Sequence, residues 1–253
     1  MINPLDLTGK TILITGASSG IGRATAILLS QLGGSIVLSG RNESRLKGTL
    51  SELSSGSHQI APFDLNQVDK ISSWLLDLAN RAGKLYGLVH CAGISETLPL
   101  RFMTVLQADA MMRTNWLTAF ELAKGFQQRR VYVGPEGRIV LLSSVMASAG
   151  SPGRSAYASS KGAIQALARS LAVEFAPERI TVNAIAPGLV QTEMAEKMSR
   201  QLTEAQIQGF IALHPLGVGQ PQDVAYAVAY LMAATGRWIT GTVLTVDGGY
   251  TAQ

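Results

Sequence analysis

The chain has 253 residues, of which 47% are hydrophobic and 15% charged, and it carries a formal charge of +4. That apolar share excludes a disordered chain and supports a large buried core. Arg129-Arg130 is the densest basic pair and reads as a solvated helix end or a docking point for an acidic partner, so no nucleic-acid-binding arm is expected.

A single cysteine, Cys91, rules out an intrachain disulfide, and its place after Leu88-Val89 reads as a buried, inert thiol. The start, Met1 to Asp6, has neither the basic nor the apolar region of a secretion signal. No stretch of about 18 uncharged apolar residues is present to span a membrane. A cytoplasmic protein without a membrane partner is the expectation.

Short β-branched runs alternate with amphipathic stretches. Strands are predicted at Thr11–Ile14, Ser35–Leu38, Gln59–Phe63, Leu85–His90, Arg138–Leu142, Ile180–Ile185 and Thr242–Val246. Helices are predicted at Ile21–Leu32, Glu43–Leu53, Val68–Ala82, Thr104–Gln128, Ala156–Phe175 and Asp223–Ala233, with an irregular helical stretch from Glu193 to Leu213. Several strands are apolar at every position, as strands buried on both faces must be. The reading is α/β: one doubly wound Rossmann-type domain over residues 1–253, a seven-stranded parallel sheet with helices on both faces. No linker or repeat divides it.

Thr15-Gly16-Ala17-Ser18-Ser19-Gly20-Ile21-Gly22 runs from the first strand into the first helix. A dinucleotide pyrophosphate needs a tight turn, backbone without Cβ atoms and a free helix N-terminus. Gly16, Gly20 and Gly22 supply these, and Ser18 and Ser19 add hydroxyls, although the spacing G-x-x-x-G-x-G differs from the commoner G-x-G-x-x-G. The second strand ends at Gly40-Arg41, where an acidic residue would hydrogen-bond a free ribose 2′-hydroxyl. A glycine that leaves room and an arginine that offers a forked cation favour NADP(H) over NAD(H). Asp64, followed by Leu65, is either an acceptor for the adenine amino group or the N-cap of the helix at Val68. Cys91-Ala92-Gly93 lets backbone approach the cofactor at the end of the fourth strand.

Tyr157 and Lys161 stand at i and i+4, on one face of a helix. A nearby ammonium would favour the phenolate and lower the tyrosine pKa toward a useful range, and would also hold ribose hydroxyls. Ser144 ends the fifth strand, at the sheet edge where ligands of open α/β sheets bind, and its hydroxyl suits a developing oxyanion. Ser143 is its competitor for that place. Asn115 is polar among Met111, Met112, Trp116 and Leu117; it is either a satisfied buried amide or a water-holding link to Lys161.

These residues together resemble the short-chain dehydrogenase/reductase family over nearly the whole chain. Thr15 to Gly22 matches its TGxxxGxG loop, Tyr157 and Lys161 its YxxxK motif, Ser144 stands thirteen residues before the tyrosine, and Asn115 matches the fourth catalytic position. The resemblance implies that Pro187, Gly188, Val190 and Thr192 border the nicotinamide, with the Val190 backbone on the carboxamide. It implies hydride transfer between NADP(H) and a small carbonyl or alcohol substrate. The ending Gly241 to Gly249 looks most like 3-oxoacyl-acyl-carrier-protein reductases, with sugar, alcohol and hydroxysteroid dehydrogenases as alternatives. Acyl carrier protein is then an implied partner, and a homo-oligomer, tetrameric in many members, an implied assembly. A cofactor-sensing or scaffold protein without catalysis is the reading from another class, opposed by the full set Asn115, Ser144, Tyr157 and Lys161. The departure is His90-Cys91, where the family has Asn-Asn; His90 reads as structural.

Substrate contacts are expected from Ser95–Phe102, Val145–Ser155 and a substrate loop at about 189–215 that carries Met194, Met198, Phe210, Ile211 and Leu213. These apolar residues either line the site or pack against the domain or a neighbouring subunit. Arg154 either selects an anionic group or is a surface arginine.

Overall fold

The computed structural model describes residues 3–200 and 202–253. Gln201, inside the expected irregular helix, and Met1 and Ile2 at the start lie outside the described residues. Seven strands form one all-parallel sheet: β1 (Thr11–Thr15), β2 (Ser35–Ser39), β3 (Gln59–Ile60), β4 (Gly87–His90), β5 (Arg138–Leu142), β6 (Thr181–Pro187) and β7 (Val243–Val246). Their spatial order is β3-β2-β1-β4-β5-β6-β7. The sheet therefore reverses its winding between β1 and β4, and a crevice opens at the carboxyl ends of those two strands.

The apolar runs are explained by the period of a strand. Ile12 and Ile14 face one side of the sheet and Leu13 the other, and all three are fully buried. On the first side lie α1 (Gly20–Gln31), α2 (Glu43–Leu50) and α9 (Pro221–Met232), which pack Leu29, Leu46 and Val228 on Val89, Val140 and Ile185. On the second lie α3 (Ile71–Ala82), α5 (Thr118–Phe126) and α6 (Ser155–Glu174), which pack Leu75, Phe126 and Ile164 on Leu88, Ile139 and Val182. Both faces are covered, as the doubly wound reading requires.

Several boundaries differ from the sequence expectation. β3 stops at Ile60 instead of reaching Phe63, although the Ala61 and Phe63 N–H groups still donate to the Leu38 and Gly40 carbonyls and Pro62 falls on the open edge of the sheet. The expected helix from Val68 begins as a 3₁₀ turn, Val68–Lys70, and α2 ends at Leu50. The strand expected from Leu85 starts at Gly87, after an isolated bridge from Leu85 to Tyr132. The long helix is α4 (Val105–Met112), a π-helical turn at Arg113–Leu117 and α5. The irregular stretch is two helices, α7 (Glu193–Ser199) and α8 (Glu204–Ala212); Thr203 opens the second with a capping box to Gln206. Among the described residues no helix is long and apolar enough to cross a membrane.

Asn183 ties β6 to the approach of β7. Its side chain is buried, donates to the Ile239 carbonyl at 2.8 Å and accepts from the Thr242 N–H at 3.1 Å. Asn183→Ala leaves two polar backbone groups without partners and is expected to cost about 3 kcal/mol, measured by urea unfolding.

Candidate active site

The loop after β1 works because it lacks side chains where backbone crosses backbone. Gly16 and Gly20 have φ of 66° and 50°, and a Cβ on Gly22 would stand 2.3 Å from the Gly16 carbonyl oxygen. A Cβ on Gly16 would meet the Ala92 nitrogen at 2.8 Å, so β1 and β4 deliver their loops into direct contact. The N-terminus of α1 opens onto a cleft of about 700 Å³. Gly16, Ser18, Ser19, Gly20, Ile21 and Gly22 form one wall, and Arg41, Asp64, Leu65, Cys91, Ala92, Gly93 and Thr192 also line it.

Asp64 is not a helix cap. Its carboxylate accepts from the Asn66 N–H at 3.1 Å in a turn of its own, and the cap position of the following 3₁₀ turn is Gln67. Arg41 is exposed at the cleft wall with no ion pair among the described residues, whereas its neighbour Arg45 pairs with Glu193 of α7. Arg45, Asn66, Arg113 and Thr114 also line the cleft. They escaped the sequence reading because each looks like an ordinary polar helix or loop residue until the fold brings it there.

A second cavity, of about 180 Å³, adjoins the cleft through Ile21, Cys91, Gly93, Ile94, Thr192 and Met194. Ser144, Tyr157, Lys161, Pro187, Gly188 and Val190 line it. The first turns of α6 present Tyr157 and Lys161, and both side chains are buried. The two neighbouring serines separate cleanly in role. The Ser143 hydroxyl donates to the Lys161 carbonyl at 2.9 Å, fixing α6 to β5, while the Ser144 hydroxyl accepts from the Met146 N–H at 3.2 Å and keeps its proton to donate.

The Lys161 ammonium donates to the Leu142 carbonyl at the end of β5, at 2.7 Å, and lies 5.9 Å from the Tyr157 ring centroid. Burial lowers its pKa to about 8. Burial also raises the Tyr157 pKa, with the Ser144 hydroxyl and the Arg154 cation acting in the lowering direction. This corrects the expectation that the lysine lowers it: desolvation of the phenolate outweighs its neighbours, and the ammonium is engaged at Leu142. Tyr157 therefore keeps its proton.

Asn115 sits in the π turn and is fully buried. Its Oδ1 accepts from the Ile94 N–H at 2.8 Å, and its Nδ2 donates to the Ile94 carbonyl at 3.0 Å and to the Ser160 hydroxyl at 2.9 Å. It is thus a satisfied amide that joins the segment after β4 to the turn carrying Lys161. A Cβ on Gly93 would stand 3.0 Å from its Oδ1 and 3.4 Å from the Lys161 ammonium. Backbone without a side chain is required there.

The expected substrate segments reach the cavity in part. Ser95 and Thr97 line it, but Leu100 and Phe102 are exposed. Met194, Met198 and Phe210 line it, whereas Ile211 and Leu213 do not. Leu202 and His214, within the expected loop, also line it, and Tyr250 joins the wall unforeseen from the C-terminal segment. Thr192 caps α7 through the Ala195 N–H at 3.2 Å and also faces Gly20, so the phosphate loop and this segment touch. Arg154 is half-buried at the cavity wall, not free on the surface.

His90 is structural, and its tautomer follows from its partners. The Thr118 hydroxyl donates to the Thr114 carbonyl at 2.6 Å, so it accepts from His90 Nε2–H at 3.2 Å. Nδ1 then accepts from the Thr15 hydroxyl at 2.8 Å, and Thr15 in turn accepts from the Ala92 N–H at 3.4 Å. Burial drives the His90 pKa to about 3. Burial likewise pushes the Cys91 thiol up to about 12, which leaves it an inert thiol at the cleft wall. Among the described residues no group of three or more His, Cys, Asp or Glu is placed to hold a metal ion.

The profile of the family described as enoyl-(acyl carrier protein) reductase matches residues 16–251. The 3-oxoacyl-acyl-carrier-protein reductase FabG of Rickettsia prowazekii is 40% identical over 252 residues, covering 97% of this chain and 98% of that protein. A dehydrogenase/reductase structure from Sinorhizobium meliloti 1021 superposes with a TM-score of 0.91 at 31% identity, over 98% of this chain and 97% of that one. A candidate NAD(P)-dependent gluconate 5-dehydrogenase from Beutenbergia cavernae, solved with NADP at low occupancy, superposes with a TM-score of 0.93 at 30% identity, over 99% and 100% of the two chains. The chain belongs to the short-chain dehydrogenase/reductase family and is an oxidoreductase.

His90 generates a prediction for stability. Its folded pKa of about 3 lies below the ordinary 6.5, so between these values the unfolded chain binds a proton that the folded chain refuses. Its contribution is complete above pH 6.5 and is lost as pH falls toward 3, by up to about 1.4 kcal/mol per pH unit. In His90→Asn, the slope of unfolding free energy against pH between 4 and 6 should fall relative to the wild type, measured by urea titration at fixed ionic strength.

Proposed function

We propose that the chain is an NADP(H)-dependent reductase of carbonyl compounds, with 3-oxoacyl thioesters as its substrate class. The observation that carries this reading is one cavity wall that brings the Ser144 hydroxyl, the Tyr157 phenol and the Lys161 ammonium together beside the glycine-lined cleft. A protonated phenol is the form that carbonyl reduction consumes.

The chain's residues fit NADP(H). Gly16, Gly20 and Gly22 leave a cradle that a Cβ would fill, the start of α1 supplies N–H groups for the pyrophosphate, and Gly40-Arg41 supplies room and charge for a 2′-phosphate. Asp64 and Leu65 border the adenine end, and Pro187, Gly188, Val190 and Thr192 the nicotinamide end. When bound, the cofactor supplies the hydride. Ser144 donates to the carbonyl oxygen and steadies the charge that grows there. Tyr157 gives that oxygen its proton. Lys161, cationic below about pH 8, stabilises the phenolate left behind and holds ribose hydroxyls. Asn115 is a positioning residue acting through Ile94 and Ser160.

The single domain, residues 1–253, then carries its substrate loop at 189–215, whose Met194, Met198, Leu202 and Phe210 suit an alkyl chain. Likeness to the Rickettsia reductase supports acyl carrier protein as the partner that bears the thioester. Exposed Leu100, Phe102, Val105 and Leu106, with Val173 and Trp238 elsewhere, support a homo-oligomer.

Two measurements test the reading. Tyr157→Phe should lower kcat for NADPH-dependent reduction of acetoacetyl-coenzyme A by about 10²–10⁴-fold while NADPH still binds, as followed by fluorescence titration. Normal turnover in that variant sinks the mechanism. Arg41→Ala should raise KM for NADPH at least tenfold more than KM for NADH; equal losses remove the 2′-phosphate assignment.

A further inference from the structure

Arg154 stands beside the reacting groups, yet the hydride and proton steps proposed above give it no substrate contact. It occupies the N-cap position of α6, half-buried, and lines the cavity together with Ser144 and Tyr157. Its Nη1 donates to the Ser95 hydroxyl at 2.8 Å and to the Thr97 hydroxyl at 2.9 Å. Its guanidinium carbon lies 4.7 Å from the Tyr157 ring centroid. These contacts hold the head group in one place.

What the guanidinium lacks is a counter-charge. Among the described residues no Asp or Glu pairs with it, and neither Nε nor Nη2 has a hydrogen-bond partner. A partly desolvated cation without an anion is costly, and arginine does not escape the cost by losing its proton near neutral pH. A fixed fork with two free donors matches a carboxylate, which it binds bidentately.

The other basic groups in the wall already have partners. Lys161 donates to the Leu142 carbonyl. His214 accepts from the Leu189 N–H through Nε2, and its Nδ1 lies 2.8 Å from the Phe210 carbonyl oxygen, so both ring nitrogens have backbone partners. Among the described residues Arg154 is the one uncommitted cation in the wall of this cavity of about 180 Å³, and it matches one monoanion on a small substrate.

We propose that Arg154 binds a substrate carboxylate a few bonds from the reacting carbonyl, and that the enzyme reduces free short 3-oxo acids as well as thioesters. The inference rests on the carbonyl-reductase reading. In a 3-oxoacyl thioester the neutral C1 carbonyl takes the same fork; in the free acid, the carboxylate takes it with full charge. Hydride from NADPH forms the new C–H bond at C3, the C3=O π bond breaks, and its oxygen takes the Tyr157 proton. NADPH is oxidised, the ketone is reduced to a secondary alcohol, and the carboxylate leaves unchanged. Solvent reprotonates Tyr157.

The test compares acetoacetate with its neutral methyl ester, in wild type, Arg154→Gln and Arg154→Lys. Because Arg154 also lowers the Tyr157 pKa, its loss affects both substrates through the phenol, and the ratio of their kcat/KM values isolates the carboxylate contact. The wild type should prefer acetoacetate. Arg154→Gln should cut the acid-to-ester ratio at least tenfold, mainly through KM for the acid, and Arg154→Lys should recover part of it. Equal losses on both substrates, or a wild type that reduces the ester and ignores the acid, overturn the proposal and leave the reductase reading standing. Should neither these substrates nor acetoacetyl-coenzyme A turn over, the reductase reading fails. Calorimetry of 3-hydroxybutyrate on the NADP⁺-loaded enzyme then decides the fork: binding that Arg154→Gln abolishes supports it, and no binding to wild type overturns it.

Discussion

A buried ammonium holds the site together. Lys161 is almost removed from water, and its charge is met by one carbonyl, that of Leu142 at the end of β5. Its own backbone carbonyl accepts from Ser143 on the same strand, and Ser160 beside it accepts from Asn115 in the π turn. Asn115 reaches on to Ile94, after β4. Three segments remote in sequence are thereby locked around one charge. Ser144 directly follows Ser143, Tyr157 stands one turn before Lys161 on α6, and both line the same cavity.

The same burial sets the chemistry. Desolvation lowers the lysine toward neutrality and raises the tyrosine, and these opposite shifts have one cause. A site open to water would have neither. The consequence is a phenol that holds its proton until an oxygen with growing negative charge takes it. The cleft before it is shaped by omission: Gly16, Gly22 and Gly93 stand where a methyl group would strike backbone or a working side chain. His90 braces the floor of this arrangement by linking Thr15 on β1 to Thr118 on α5. It takes up structurally the position where the family pattern has asparagine.

Much of the fold was legible. All seven strands and the major helices follow from hydrophobic period, and the errors fell at ends: β3 stopping at Ile60, Thr203 starting a new helix, a 3₁₀ turn at Val68–Lys70. The catalytic candidates were legible too, because the glycine loop and the i, i+4 pair are local patterns. The substrate wall was legible only in part. Met194 and Phe210 reach it but Ile211 and Leu213 do not, since nothing local sets the phase of two short helices against the sheet.

The sequence by itself determined the sheet, the glycine cradle and the common face of Tyr157 and Lys161. Each depends on forces between near neighbours: a missing Cβ, a 3.6-residue turn, a two-residue alternation. Tertiary structure alone decided that burial raises the Tyr157 pKa, that Lys161 donates to the Leu142 carbonyl, that Asp64 closes its own turn, and that Arg154 stands in the cavity without an ion pair among the described residues. Those outcomes depend on desolvation and on partners far along the chain, such as Arg154 with Ser95 and Thr97. A linear pattern does not carry the distance between such groups or the water excluded around them.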